Sequence, residues 1–261
     1  MSLMRIDRFI SERSEYTRNE IKNLVSRKLI TADGIVIKKS DMKVNPDTVK
    51  VIVNGNEIRN QKYRYIILNK PDGYISSTSE NDGISVMRLL PESLRTKDMF
   101  PVGRLDKDSL GLLLITNDGE LAHRILAPNR HVSKIYIVKL AQSFKSEYIN
   151  LFKNGLELAD GYQCMPAVVS GSELSEKLAF IELHEGKYHQ VKRMFSAVGN
   201  HVEVLMRISV GGLILPETLG FGEHMELLHK NVESLFSEPD FNLLCSKFSG
   251  KFSAKLINNR S

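Results

Sequence analysis

Residues 100–120 read FPVGRLDKDSLGLLLITNDGE, placing two carboxylates, Asp106 and Asp108, among the basic side chains of Arg104 and Lys107, just ahead of the apolar run Leu112–Ile115. An acid that close to a core strand is paired, solvated or useful to chemistry. Gly103 permits a turn and Leu105 anchors it, so the local reading makes both acids turn or cap carboxylates. Other chemistries find little support. His184 and His189 flank EGKY, but there is no H-x-x-x-H helix and no convergent carboxylate pattern for a metal. Lys70 could form a Schiff base, yet it leads into a Pro-Asp-Gly turn and no cofactor motif accompanies it. No G-x-x-x-x-G-K-S/T loop is present, which argues against nucleotide hydrolysis.

The chain that must position these residues has 261 residues, 42% hydrophobic and 26% charged, ordinary values for a soluble globular protein with room for one large or two unequal domains. No apolar run approaches the roughly 18 residues of a membrane helix, and no signal-like segment opens the chain, so a cytoplasmic location is expected. Met1-Ser2-Leu3 ahead of Met4 has the look of a cloning remnant. Cys164 and Cys245 are far apart and in no C-x-x-C arrangement, which speaks against a disulfide framework or thiolate metal site. The net charge of +5 is unevenly spread: residues 1–60 hold twelve Lys/Arg against eight Asp/Glu, a net +4. A basic module on a nearly neutral body is the footprint of a nucleic-acid partner.

In that module Ile6, Phe9 and Ile10 have helical spacing. Thr17 and Glu20 form a capping box for a second helix, whose buried face is Ile21, Leu24 and Val25. Arg18, Lys22, Arg27 and Lys28 lie on its other side and end, as candidate nucleic-acid contacts. A hairpin turning at Asp33-Gly34 and a strand closing on Asn54-Gly55 follow. The stretch 56–62 reads as a linker. Beyond it YRYIILNK, SKIYIVKLAQ and EKLAFIELHEG read as strands, and HQVKRMFSAV as a helix stopped by Gly199. The last 25 residues show no clear periodicity. The domains expected are 4–60, 63–236 and a C-terminal extension, 237–261.

GRLDKDSLGLLLITNDGELAHRI closely resembles the signature G-R-L-D-x-D-(T/S)-x-G-L-L-(L/I)-x-T-N-D-G of RNA pseudouridine synthases of the RsuA type. YIILNKPDGYISS, SKIYIVKL, EGKYHQVKRMFSAVGNHV and RISVGGLIL resemble further segments of that family, in order. Residues 4–60, two short helices and a small sheet, resemble its S4 RNA-binding fold. The resemblance implies an α+β chain: the S4-like domain, then a catalytic domain of mixed, largely antiparallel sheet flanked by helices, with the active cleft across the sheet's middle.

It also implies isomerisation of a uridine in RNA to pseudouridine, without cofactor or metal. By the family's pattern Asp106 is the carboxylate that adds to C1′ or removes the 2′ proton. Lys192, where many relatives have arginine, is the expected ion-pair partner keeping it ionised. Tyr136 matches the aromatic that stacks on the target base, and Arg104 a residue associated with base flipping. Lys70, His189 and Arg193 join Arg104 as expected RNA contacts. Asp108 is read as a structural carboxylate of the loop. STSENDGISVMRLL and the basic helix look most like the branch acting on 16S rRNA. The partner implied is ribosomal RNA or an assembling subunit, bound by a monomer. The same reaction on 23S rRNA, or a non-catalytic S4-type assembly factor, are the alternatives.

Overall fold

A computed structural model of the chain describes residues 3–58, 63–96, 98–127, 130 and 132–258. The chain divides into two compact units: Met1–Arg64 with Pro91–Met99, and Tyr65–Leu90 with Phe100–Ser261. Residues 91–99, assigned on sequence to the second domain, group with the first unit.

The first unit runs β1 (Met4–Arg5), α1 (Ile6–Ser11), α2 (Arg18–Ser26), β2 (Ile30–Ala32), β3 (Ile35–Val36), β4 (Lys43–Val44), β5 (Val51–Val53) and β6 (Asn56–Ile58). Strand β1 pairs with β4, and a four-stranded sheet has the order β3-β2-β5-β6. Ile6, Phe9, Ile10, Ile21 and Val25 form the helical side of its core. The capping box is present: the Glu20 N–H donates to the Thr17 hydroxyl at 3.3 Å, and the Thr17 N–H to the Glu20 carboxylate at 2.6 Å. Both Asp33-Gly34 and Asn54-Gly55 have positive φ, the handedness that matches a two-residue hairpin turn to strand twist. The second of these turns corrects the linker reading. Residues 56–58 return along β5, so the polar stretch begins as a strand; residues 59–62 lie outside the described residues.

The second unit contains β7 (Tyr65–Lys70), β8 (Phe100–Val102), β9 (Leu110–Thr116), α3 (Gly119–Leu126), β10 (Lys134–Leu140), α4 (Glu147–Lys153), β11 (Val168–Ser172), β12 (Ser175–Leu183), α5 (Gln190–Ala197), β13 (Val202–Val210), β14 (Leu213–Ile214), β15 (His224–Glu226), α6 (His229–Val232) and α7 (Phe241–Asn258). One sheet has the order β11-β12-β10-β13-β9-β7-β15, with β14 on β13 and β8 on β9. Only its β9–β13 pairing is parallel. This is the mixed, largely antiparallel sheet expected from the sequence.

Strand β9 serves two neighbours along one edge. Its first residues, Leu110 and Gly111, pair with Met206 and Arg207 of β13; from Leu114 onward it pairs with β8. The approach is very close at Gly111, where φ is +97° and an added Cβ would lie 2.2 Å from the Arg207 carbonyl oxygen. Only glycine fits there. The tail also forms structure: Asp240 caps α7 by accepting from the Leu243 N–H at 3.0 Å. Leu244 and Phe248 of α7 are buried while Leu243 is exposed. Among the described residues no helix is long and apolar enough to cross a membrane.

Candidate active site

The loop between β8 and β9 carries Asp106, and the segment after β7 fixes its shape. Lys70 ends β7 with its side chain completely buried. Its ammonium donates to the carbonyls of Ser109 at 2.7 Å, Lys107 at 2.9 Å and Pro71 at 3.0 Å. Burial pulls its pKa down to about 8, against the opposing charges of Asp72, Asp108 and Asp106. The Ser76 hydroxyl donates to the Leu105 carbonyl at 2.9 Å and accepts from the Leu105 N–H at 3.1 Å, and the Gly73 N–H donates to the Lys107 carbonyl at 3.1 Å. Lys70 was expected on sequence to contact RNA; instead its ammonium is buried and engaged by backbone carbonyls. A cation beside Pro-Asp-Gly reads as exposed, but two of its donors are spent on the backbone of the Asp106 loop and the third on the Pro71 carbonyl.

Asp106 faces a cavity of about 420 Å³ over the central strands, lined among others by Arg104, Lys134, Tyr136, His189 and Arg207. Tyr136 comes from β10 and is 9% exposed. Arg104 is exposed at the cavity wall. One Asp106 oxygen lies 3.4 Å from His189 Nε2, and the other 3.8 Å from Lys192 Nζ. His189 has a left-handed φ of +49° at the start of α5, and its ring stacks on Tyr188 at 3.8 Å between centroids.

The expected Lys192–Asp106 ion pair is present, at 3.8 Å, but the basic helix adds two features not expected on sequence. Lys192 does not give its short bonds to Asp106. It donates to both oxygens of Asp108, at 2.6 and 2.8 Å. Burial alone would raise the Asp108 carboxyl, but the hydrogen bond and charge of Lys192 outweigh it and hold it below the ordinary carboxylate range. Asp108 is thus more than a loop carboxylate: it anchors Lys192 beside Asp106. Arg193, expected on RNA, pairs with Asp160 and donates to the Tyr188 carbonyl at 3.4 Å. Its place next to Lys192 on a helix turns it to a different face. Arg18, Lys22, Arg27 and Lys28 are exposed, on α2 and the turn after it in the first unit.

Three lining residues went unremarked on sequence. Glu185 accepts from the Tyr162 hydroxyl at 2.6 Å, the Met165 N–H at 2.9 Å and the Gln190 amide at 2.5 Å. Lys134 donates to the Val132 carbonyl at 2.6 Å, and burial together with the charge of Arg207 pulls its pKa down to about 8, against Glu185. Arg207 is 4% exposed. A lone arginine inside the apolar stretch VEVLMRISV was the available signal. Among the described residues no group of three or more His, Cys, Asp or Glu could hold a metal ion.

The profile of the RNA pseudouridylate synthase family matches residues 64–197, and the chain belongs to that family. An uncharacterized RNA pseudouridine synthase of Bacillus subtilis is 38% identical over 239 residues, 90% of this chain and 99% of its own. The ribosomal small subunit pseudouridine synthase A of Vibrio cholerae is 38% identical and that of Escherichia coli 35%, each over 89% of this chain and 100% of its own. A crystal structure of a pseudouridylate synthase superposes with a TM-score of 0.62 at 30% identity, covering 89% of this chain and 99% of that one.

Proposed function

We propose that this protein isomerises a uridine of small-subunit ribosomal RNA to pseudouridine. Asp106 acts at the ribose, either by adding to C1′ or by removing the 2′ proton, and Tyr136 packs against the base. The observation carrying this reading is one cavity, of a size suited to a nucleoside, that holds Asp106, Tyr136 and Arg104 together. A uracil cannot react at both C1′ and C5 while stacked, so it must be everted, at a cost of about a few kcal/mol. Arg104, exposed at the cavity wall, is placed to fill the vacated stack or hold a neighbouring phosphate. The small-subunit assignment is supported by the names of the Vibrio cholerae and Escherichia coli relatives.

Residues 4–60 serve in this reading as an S4-type RNA-binding domain, with Arg18, Lys22, Arg27 and Lys28 on phosphates. The catalytic domain spans 63–236, and α7 belongs to an extension to it. The protein works as a cytoplasmic monomer on rRNA or an assembling subunit.

The test is chemical mapping of pseudouridines in rRNA from cells with and without the gene, complemented by wild type or Asp106→Asn. One small-subunit pseudouridine should vanish without the gene and return only with wild type. Purified Asp106→Asn should still bind RNA. Conversion at the wild-type rate by that variant would remove Asp106 from the chemistry, and loss of a large-subunit site instead would reassign the substrate.

A further inference from the structure

Arg207 sits on β13 directly across from Tyr136 on β10, and both side chains line the cavity. Cross-strand partners project to the same face of a sheet, so whatever rests on Tyr136 also meets Arg207. One end of the guanidinium is fixed: its Nε–H donates to the Leu112 carbonyl at 2.8 Å. The other is not, since Nη2 is buried with no hydrogen-bond partner among the described residues. A buried guanidinium left with an unused donor is costly unless a ligand supplies the acceptor. Nor does the cavity contain a spare carboxylate to serve. Glu185 is engaged by three donors, and Asp106 lies beside His189 and Lys192.

We propose that Arg207 is a catalytic residue whose free guanidinium edge binds a carbonyl oxygen of the target uracil and carries the negative charge of the ring once it detaches. The inference rests on the pseudouridine synthase reading. When the C1′–N1 bond breaks, its electron pair leaves with the base. The resulting uracil anion is delocalised over N1, O2, O4 and C5. It then re-forms a bond from C5 to C1′; the C5 proton is lost and N1 gains one. This charge develops whether Asp106 adds to C1′ or takes the 2′ proton, so Arg207 has the same task on either route. A fixed donor aimed at developing charge stabilises the transition state more than the neutral ground state. Tethering Nε to Leu112 supplies that fixity, since β9 and β13 are locked together at Gly111.

The experiment is single-turnover kinetics of wild type, Arg207→Met and Arg207→Lys on RNA carrying uridine, 2-thiouridine or 4-thiouridine at the target, with RNA affinity measured in parallel. Arg207→Met should lose about 10²-fold in rate with affinity little changed. Arg207→Lys, which keeps the charge, should regain at least a tenth of that loss. One thio-substitution should slow wild type several-fold yet leave Arg207→Met unaffected, because the partner of that oxygen is already gone. Equal rates for the Met and Lys variants, or thio effects as large in Arg207→Met as in wild type, would overturn the proposal and leave Arg207 a structural residue. The Asp106→Asn control separates this from failure of the parent reading: an inactive control alongside thio effects as large in Arg207→Met as in wild type sinks only Arg207, whereas a control with the wild-type rate sinks the parent reading.

Discussion

Lys192 Nζ lies 2.6 and 2.8 Å from the two oxygens of Asp108 but 3.8 Å from Asp106. The ammonium is held by one acid and displayed to another. Asp108 is 54% exposed and Lys192 22%, so the bond between them is screened and contributes little to folding, about 1 kcal/mol or less. Its consequence is positional. An ammonium tied to Asp108 can balance the charge of Asp106 without covering the oxygen that must meet the ribose.

Asp108→Asn should therefore leave thermal stability nearly unchanged and slow the reaction several-fold. Lys192→Met should slow it by about 10²-fold, since the cation next to Asp106 is gone altogether. Single-turnover rates on a short RNA substrate check both. Equal losses would mean that Asp108, not Asp106, is the acid Lys192 serves. The Asp108 carboxyl titrates below its ordinary value in the folded protein. Its contribution to stability is complete above the unfolded pKa and is lost as pH falls through the lowered one; Asp108→Asn should abolish that small acid-side slope.

Much of the fold was legible because its signals are local. The Thr17–Glu20 box, the Asp33-Gly34 and Asn54-Gly55 turns and the apolar runs of β7, β10 and β12 each report on a few neighbouring residues, and each forms as expected. What stayed hidden depends on register between distant segments. Nothing near Lys70 says that its ammonium reaches the carbonyls of residues 107 and 109, and nothing near Arg207 says that it faces Tyr136. Helix α7 was missed for another reason. Leu244 and Phe248 make a one-turn buried pair, but Leu243 beside them is exposed and blurs the periodicity.

Lys70 offers a prediction about the loop itself. Lys70→Met keeps the apolar stem but leaves the carbonyls of Pro71, Lys107 and Ser109 without their shared donor. A loss of about 3 kcal/mol in urea unfolding is expected, with a fall in rate as the Asp106 loop relaxes. The pH dependence has a definite sign. With a folded pKa of about 8 and an ordinary value of 10.5, the unfolded chain binds more protons between those limits. Wild-type stability should therefore gain from Lys70 as pH rises from about 8 to 10.5. Denaturant midpoints across that range should rise less steeply in Lys70→Met; identical slopes would place the lysine in a far more solvated setting.

Gly111 tests whether strand pairing sets the spacing of the site. Its φ of +97° is hostile to any side chain, and a Cβ there would meet three backbone atoms of Arg207 at 2.2, 2.9 and 3.0 Å. Neither strand can relieve the clash by turning a side chain, because the obstruction is main chain. Gly111→Ala should cost about 3 kcal/mol or more, read as a lower urea midpoint. Relief requires β9 to move away from β13, which carries Asp106, on the loop entering β9, away from Arg207. Protein that remains folded should thus bind RNA but isomerise it at least tenfold more slowly. An alanine variant with wild-type stability and rate would show that the two strands do not hold the carboxylate and the guanidinium in register.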